Sequence, residues 1–173
     1  MSEPSSSGPA DILVRLYDLP PLDLAPLAAV GVSVRRPLAP ERHLVGAWVL
    51  REFEPGWASE TEVAFAARPP SCYIAVEGQD IVGFACYDVT ARGVFGPTGV
   101  AAGARGRGIG AALLLASLAA MREAGYAYAV IGAAGPVDFY RRLVGGIVIP
   151  DSWPGLYRGL LTLPGQEPAP DDG

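Results

Sequence analysis

The sequence contains no lysine; all 13 of its Lys-or-Arg positions are arginine. Beside 22 glycines and 17 prolines, that one-sidedness reads as codon bias rather than function. Histidine is nearly absent as well. The single one, His43, has no serine or cysteine pattern around it, which argues against a triad hydrolase and leaves a solvated or packing role. The only cysteines, Cys72 and Cys86, form no CxxC motif and no metal-ligand cluster, so no metal is expected. They fall on neighbouring predicted strands, where a contact between them stays open and two reduced core thiols are expected. Positive charge is in deficit: a net charge of −5 argues against a nucleic-acid partner, whose phosphates need a basic face. The same deficit is compatible with a cationic substrate. No apolar run reaches the roughly 20 residues of a membrane span, and MSEPSSSGPA lacks the basic and apolar regions of a signal peptide. A cytoplasmic protein without a membrane partner is expected.

What is present is a chain of 173 residues, half of them hydrophobic, which suits one domain with a proper core. Residues 1–10 read as a disordered tail, 11–163 as the domain with its core over 32–163, and 164–173 as a loose acidic tail. Along the chain, 11–19 reads as a strand, 22–30 as a short helical piece and 32–36 as the first core strand. Pro40 opens a helix carrying the rows Leu44/Trp48 and Val45/Val49 and ending near Phe53. Ser59 to Glu62 resembles a capping box, predicting a second helix to about Ala67. A hairpin follows, 72–76 and 81–89, then a strand over 94–100 with a bulge at Gly96-Pro97. A strand over 127–131, a helix from Gly135-Pro136 to Gly145, and strands over 147–149 and 156–163 complete a mixed α/β sheet rather than an alternating doubly wound one.

The stretch that organises the chain is Val100 to Met121. Its loop, Ala101 to Gly108, holds three glycines, two arginines and no acid, and a helix follows with apolar residues at Ile109, Leu113, Leu114, Leu118 and Met121. A strand feeding a Gly-rich turn and a helix start is an anion cradle, because unpaired N–H groups converge there and the macrodipole adds positive potential. A phosphate-bearing small molecule is the first expectation. Gly106 to Ala111 also satisfies the dinucleotide fingerprint G-x-G-x-x-A, but the next strand, AYAVIG, lacks the acid that a nucleotide-binding oxidoreductase needs.

Arg105, Gly108 and Gly110 match the [Q/R]-x-x-G-x-[G/A] hallmark of the GNAT superfamily of N-acetyltransferases. Phe139 to Gly145 resembles that family's F/L-Y-x-x-x-G helix, one residue longer before the glycine. The order of elements resembles it too. Ala102 stands where the family usually has Pro, Ala133 where many members have Asn, and the strand 94–100 carries no carboxylate. The resemblance implies a mixed, largely antiparallel sheet of six to seven strands, flanked by about four helices and splayed between its fourth and fifth strands. It implies acetyl-CoA as co-substrate, with its pyrophosphate on Arg105, Gly106, Arg107, Gly108, Ile109 and Gly110 and its pantetheine arm against Gly99, Val100 and Ala101. A backbone N–H there would stabilise the oxyanion of a tetrahedral intermediate, worth about 3 kcal/mol.

The implied reaction is direct attack by a primary amine, from a small molecule or a peptide, with Tyr140 protonating the departing thiolate. Candidate bases or amine-binding acids are Glu52, Glu54, Glu60, Glu62 and Asp88. Glu60 is the first choice for catalysis and Glu54 and Asp88 for binding the amine, with Glu62 assigned to its capping box. A non-catalytic acyl-CoA-binding module on the same fold remains the alternative. Many members of the family are homodimers, and the strand 11–19 would either extend the sheet or form such a contact.

Overall fold

Alternation along the strands decides how the sheet is covered. In β3 (Cys72–Glu77) and β4 (Asp80–Tyr87), Ala75 and Ala85 join one buried cluster, while Cys72, Ile74, Phe84 and Cys86 join another. Successive strand residues point to opposite faces, so the sheet has an apolar layer on each side. A computed structural model describes residues 9–161. The remaining elements are β1 (Ala10–Arg15), α1 (Ala25–Ala29), β2 (Val32–Arg35), α2 (Arg42–Glu52), α3 (Pro55–Ala64), β5 (Val94–Val100), α4 (Ile109–Glu123), β6 (Tyr128–Ala134), α5 (Val137–Val144) and β7 (Ile147–Val148). One seven-stranded sheet runs β2-β3-β4-β5-β6-β1-β7, antiparallel except where β5 meets β6. This is the mixed, mostly antiparallel sheet that the sequence predicts, with five helices where about four were expected.

Helix α4 covers one face with Ile109, Leu113, Leu114, Leu118 and Met121, all buried as their spacing predicts. α2 and α3 cover the other. There Val45, Trp48 and Val49 turn inward, whereas Leu44 is exposed. Cys72 and Cys86 lie directly opposite one another, both buried and free. Among the described residues no helix is long and apolar enough to cross a membrane.

Four expectations are corrected. Strand β1 stops at Arg15 instead of reaching residue 19, and a 3-10 turn carries Leu16 into the core. The strand 32–36 forms as β2 but ends at Arg35, and it lies at the sheet's edge. Ser59 does not start α3. Pro55, whose fixed φ suits a first helical turn, starts it four residues earlier. The Ser59 hydroxyl donates back to the Pro55 carbonyl, and Glu62 pairs with Arg42 at 3.3 Å. Finally, the described part of 156–163 is a 3-10 turn, Gly155–Tyr157, followed by irregular chain. The reason lies at the other end of the sequence: β1 sits between β6 and β7, so the edge that this segment would pair with is already occupied. Thr162, Leu163 and the expected acidic tail lie outside the described residues, as does the expected N-terminal tail up to residue 8; Ala10 already opens β1.

Arg35 at the end of β2 grips Glu41 with two bonds of 2.8 and 2.7 Å, and the Leu38 N–H donates to the same carboxylate. These donors hold the Glu41 pKa down at about 2. A depressed acid adds stability that is present above its ordinary value and is lost as pH falls toward the depressed one. Urea melts should therefore show wild type losing stability from about pH 4.5 down to about 2, and Glu41→Gln lacking that component.

Candidate active site

The site is opened by two bulges placed side by side. β5 and β6 pair in parallel only at Val94/Val130 and Phe95/Ile131. Immediately beyond, Gly96 and Pro97 of β5 both stand opposite Cys86, since the β4–β5 register shifts by one between Ala85/Thr98 and Tyr87/Phe95. Gly96 has φ of 127°, which excludes a side chain, and Pro97 has no N–H to give to a ladder. On β6 the register against β1 shifts across Gly132 and Ala133, which stand opposite Asp11. Ala133 is held at a positive φ of 46° with its N–H on the Asp11 carboxylate at 2.8 Å. Each bulge bends its strand, and the two strands part.

Beyond the bulge, the β5 backbone alternates. The Ala101 N–H donates to the Val82 carbonyl at 2.9 Å, which makes that pair and Gly99/Phe84 the hydrogen-bonded ones. The N–H and C=O groups of Thr98 and Val100 therefore face the gap. Of the three residues expected along the pantetheine arm, only Val100 turns its polar backbone groups to the gap; those of Gly99 and Ala101 are turned to β4. Gly99 matters by shape. A Cβ there would lie 2.4 Å from the tip of the Phe53 ring, which packs among Trp48, Trp57 and Phe84.

Val100 leads to the cradle. Gly106 and Gly108 have φ of 75° and 81°, with Gly108 capping α4, and the loop backbone is exposed. The first helical bond that closes on Gly108 comes from Ala112, so the N–H groups of Ile109, Gly110 and Ala111 have no partner within the helix. Free donors at the positive end of a 15-residue helix, with no Cβ at either glycine, fit a pyrophosphate. The arginines contribute less than their number suggests. Arg107 is gripped by Glu77 at 2.7 and 3.1 Å, and Arg105 folds its Nε onto the Val100 carbonyl.

Between the parted strands lies a cleft of about 770 Å³. It brings together Glu54, Glu60 and Tyr140, three of the residues expected at the site. Glu60, half-buried, accepts a hydrogen bond from the Thr90 hydroxyl. Burial raises its pKa, Thr90 pulls it back, and the like charge of Glu54 adds to the rise. Tyr140 is buried, and burial raises its phenol. Asp88 stands apart from the cleft. One of its carboxylate oxygens takes the Gly93 N–H and the other the Tyr126 hydroxyl, so it ties the β4–β5 connection together. Glu52 and Glu62 are engaged by Arg51 and Arg42 outside the cleft.

Among the cleft residues that escaped the sequence reading are Thr90, Trp153 and Tyr157. The Tyr157 hydroxyl lies over Gly132, where a Cβ would meet it at 2.7 Å. Its phenol is raised by burial first, then by Glu60 and Asp11, with the Thr90 hydroxyl opposing. Leu156 to Leu163 has the look of a strand, and nothing local says that its tyrosine belongs over β6.

Comparison with known proteins agrees with this architecture. The model of the acetyltransferase (GNAT) family matches residues 42–145. None of the curated proteins matches. Among solved structures, a GCN5-related glucosamine N-acetyltransferase region of a fungal multi-domain GH3 β-N-acetylglucosaminidase is similar at TM-score 0.66 and 17% identity, over 82% of this chain and 20% of that one. A GCN5-related N-acetyltransferase from Sphaerobacter thermophilus has TM-score 0.62 and 24% identity, over 82% of this chain and 49% of its own. Another from Kribbella flavida has TM-score 0.53 and 20% identity, over 83% and 55%. At these identities the likeness is one of fold, and this chain spans less than two thirds of each of those proteins. With the family match covering more than half of the sequence, and the cradle and the splayed strands in the same segment, the chain belongs to the GNAT family of acetyltransferases.

Proposed function

We propose that the protein is an N-acetyltransferase that uses acetyl-CoA to acetylate a primary amine by direct attack in a ternary complex. The observation that carries this reading is the cleft itself, where Glu60 and Tyr140 line the same gap between parted strands and β5 leads on to the cradle at α4. Acetyl-CoA supplies an activated acyl thioester. The loop from Arg105 to Gly110 would hold its pyrophosphate on backbone N–H groups, and Thr98 and Val100 would offer theirs along the gap. Glu54 at the rim would draw in the ammonium. Glu60, whose raised pKa makes it a better proton acceptor than an ordinary carboxylate, would deprotonate it. Tyr140, kept neutral by burial, would give its Oη proton to the thiolate. The residues supply no nucleophile of their own; they position, and they move two protons.

Two measurements test this. Titration calorimetry should show acetyl-CoA binding and NAD not binding; the reverse removes the proposal. Release of CoA should follow addition of an amine, and Tyr140→Phe should reduce the turnover by about 10²-fold without changing the melting temperature. Unchanged turnover in that variant would take the proton-donor role away from Tyr140.

A further inference from the structure

The charges around the cleft are one-sided. Glu54 and Glu60 line it, and the Asp11 carboxylate acts on Tyr157 from beneath. Among the described residues, no Arg, Lys or His side chain lines it. The segments outside the described residues contain none of these residue types, so no further cation of that kind can come from them. Three arginines of the surrounding elements are engaged elsewhere: Arg107 with Glu77, Arg105 with a backbone carbonyl and Arg42 with Glu62. A substrate carboxylate or phosphate in this cleft would be desolvated beside two acids with no counter-charge, which is among the costlier arrangements in a protein.

The rest of the wall is apolar. Trp57, Trp153, Leu156, Tyr157 and Leu160 line the cleft together with Ile131. Trp153 and Tyr157 lie with ring centroids 6.3 Å apart. Such rings accept an apolar body, and their faces attract an ammonium.

We infer that the acceptor is an amine with an apolar or aromatic body and no anionic group, and that the cleft rejects free α-amino acids and phosphorylated amines. This deepens the proposed function and rests on its placing the acceptor in the cleft between β5 and β6. The selectivity comes from the absence of a cation on the wall, so masking the acceptor's carboxylate should be sufficient to admit it.

The test uses matched probes that differ only in that group: phenethylamine, phenylalanine and phenylalanine methyl ester, with spermidine as a cation lacking an apolar body. Binding is read by calorimetry on the CoA-loaded protein, and turnover by CoA release. The amine and the ester should bind at least tenfold more tightly than phenylalanine and than spermidine. Leu160→Arg, a change at an exposed position on the wall, should narrow the gap between ester and free acid. Equal binding of phenylalanine and its ester, preference for spermidine, or no binding of any probe overturns the inference whatever the turnover. If the ester binds selectively but no probe releases CoA, the selectivity of the cleft stands and the acetyltransferase reading falls instead.

Discussion

Replacing Glu60 by Gln should lower kcat/KM by about 10²–10³-fold while leaving acetyl-CoA affinity unchanged. Gln fills the same space and can still accept from Thr90, so the loss reports the proton acceptor and not the shape of the cleft. The pH profile carries more information than the rate. A base works in its deprotonated form, so activity rises with pH through the Glu60 pKa, which burial and then Glu54 raise against the pull of Thr90. The variant should lose that acid limb. Glu54→Gln removes a like charge and should move the limb to lower pH, and Thr90→Val removes a donor to the charged form and should move it higher. Stability runs the other way. A carboxyl whose folded pKa is raised destabilises the fold as pH climbs through the window between its unfolded and folded values. Glu60→Gln should therefore melt no lower than wild type at neutral pH. A limb that stays in place in Glu60→Gln would assign the base to another group.

The second large effect belongs to Gly99→Ala. The added methyl would sit 2.4 Å from the Phe53 ring, far inside contact distance. A lone ring could swing aside, but Phe53 is wedged against Trp48, Trp57 and Phe84, with centroids 5.7, 5.1 and 5.6 Å away. Overpacking of this kind costs about 1–3 kcal/mol. For a chain of this size that is a drop in Tm of roughly 2–12 °C. Phe53 ends α2 and leads into the segment that carries Glu54, Trp57 and Glu60, so activity should fall along with stability. The double variant Phe53→Leu/Gly99→Ala should lose less than the sum of its parts, because both changes act on one contact. Strict additivity would show that the ring and Gly99 do not press on one another.

Much of this was legible in the sequence where the physics is local. Gly106 and Gly108 demand positive φ before a helix whose leucines keep a clear period, and Pro97 cannot serve a ladder, so the cradle and the β5 bulge announce themselves. The helix carrying Tyr140 is framed by Pro136 and by Gly145 at φ 63°. The rest depends on partners remote in the chain. The bulge at Gly132-Ala133 has no signature, since alanine rarely takes such a φ unaided; Asp11, 122 residues away, holds it. Tyr157 reaches the cleft because β1 already occupies the β6 edge and leaves the segment after Trp153 to fold over it. Asp88 reads as a free acid on a strand end until Tyr126, from beyond α4, is seen to cover it.

The position of β1 also bears on how the chain comes to be folded at all. Ile12 and Val14 are synthesised well before their strand partners on β6, Ile131 and Ala129. At about 5–20 residues per second, that leaves apolar strand residues waiting on the order of 10 seconds for their neighbours. The sheet cannot close progressively from its first strand, because β1 takes its place between β6 and β7 and both follow it in the chain. β1 is thus an interior strand, and losing it would part β6 from β7.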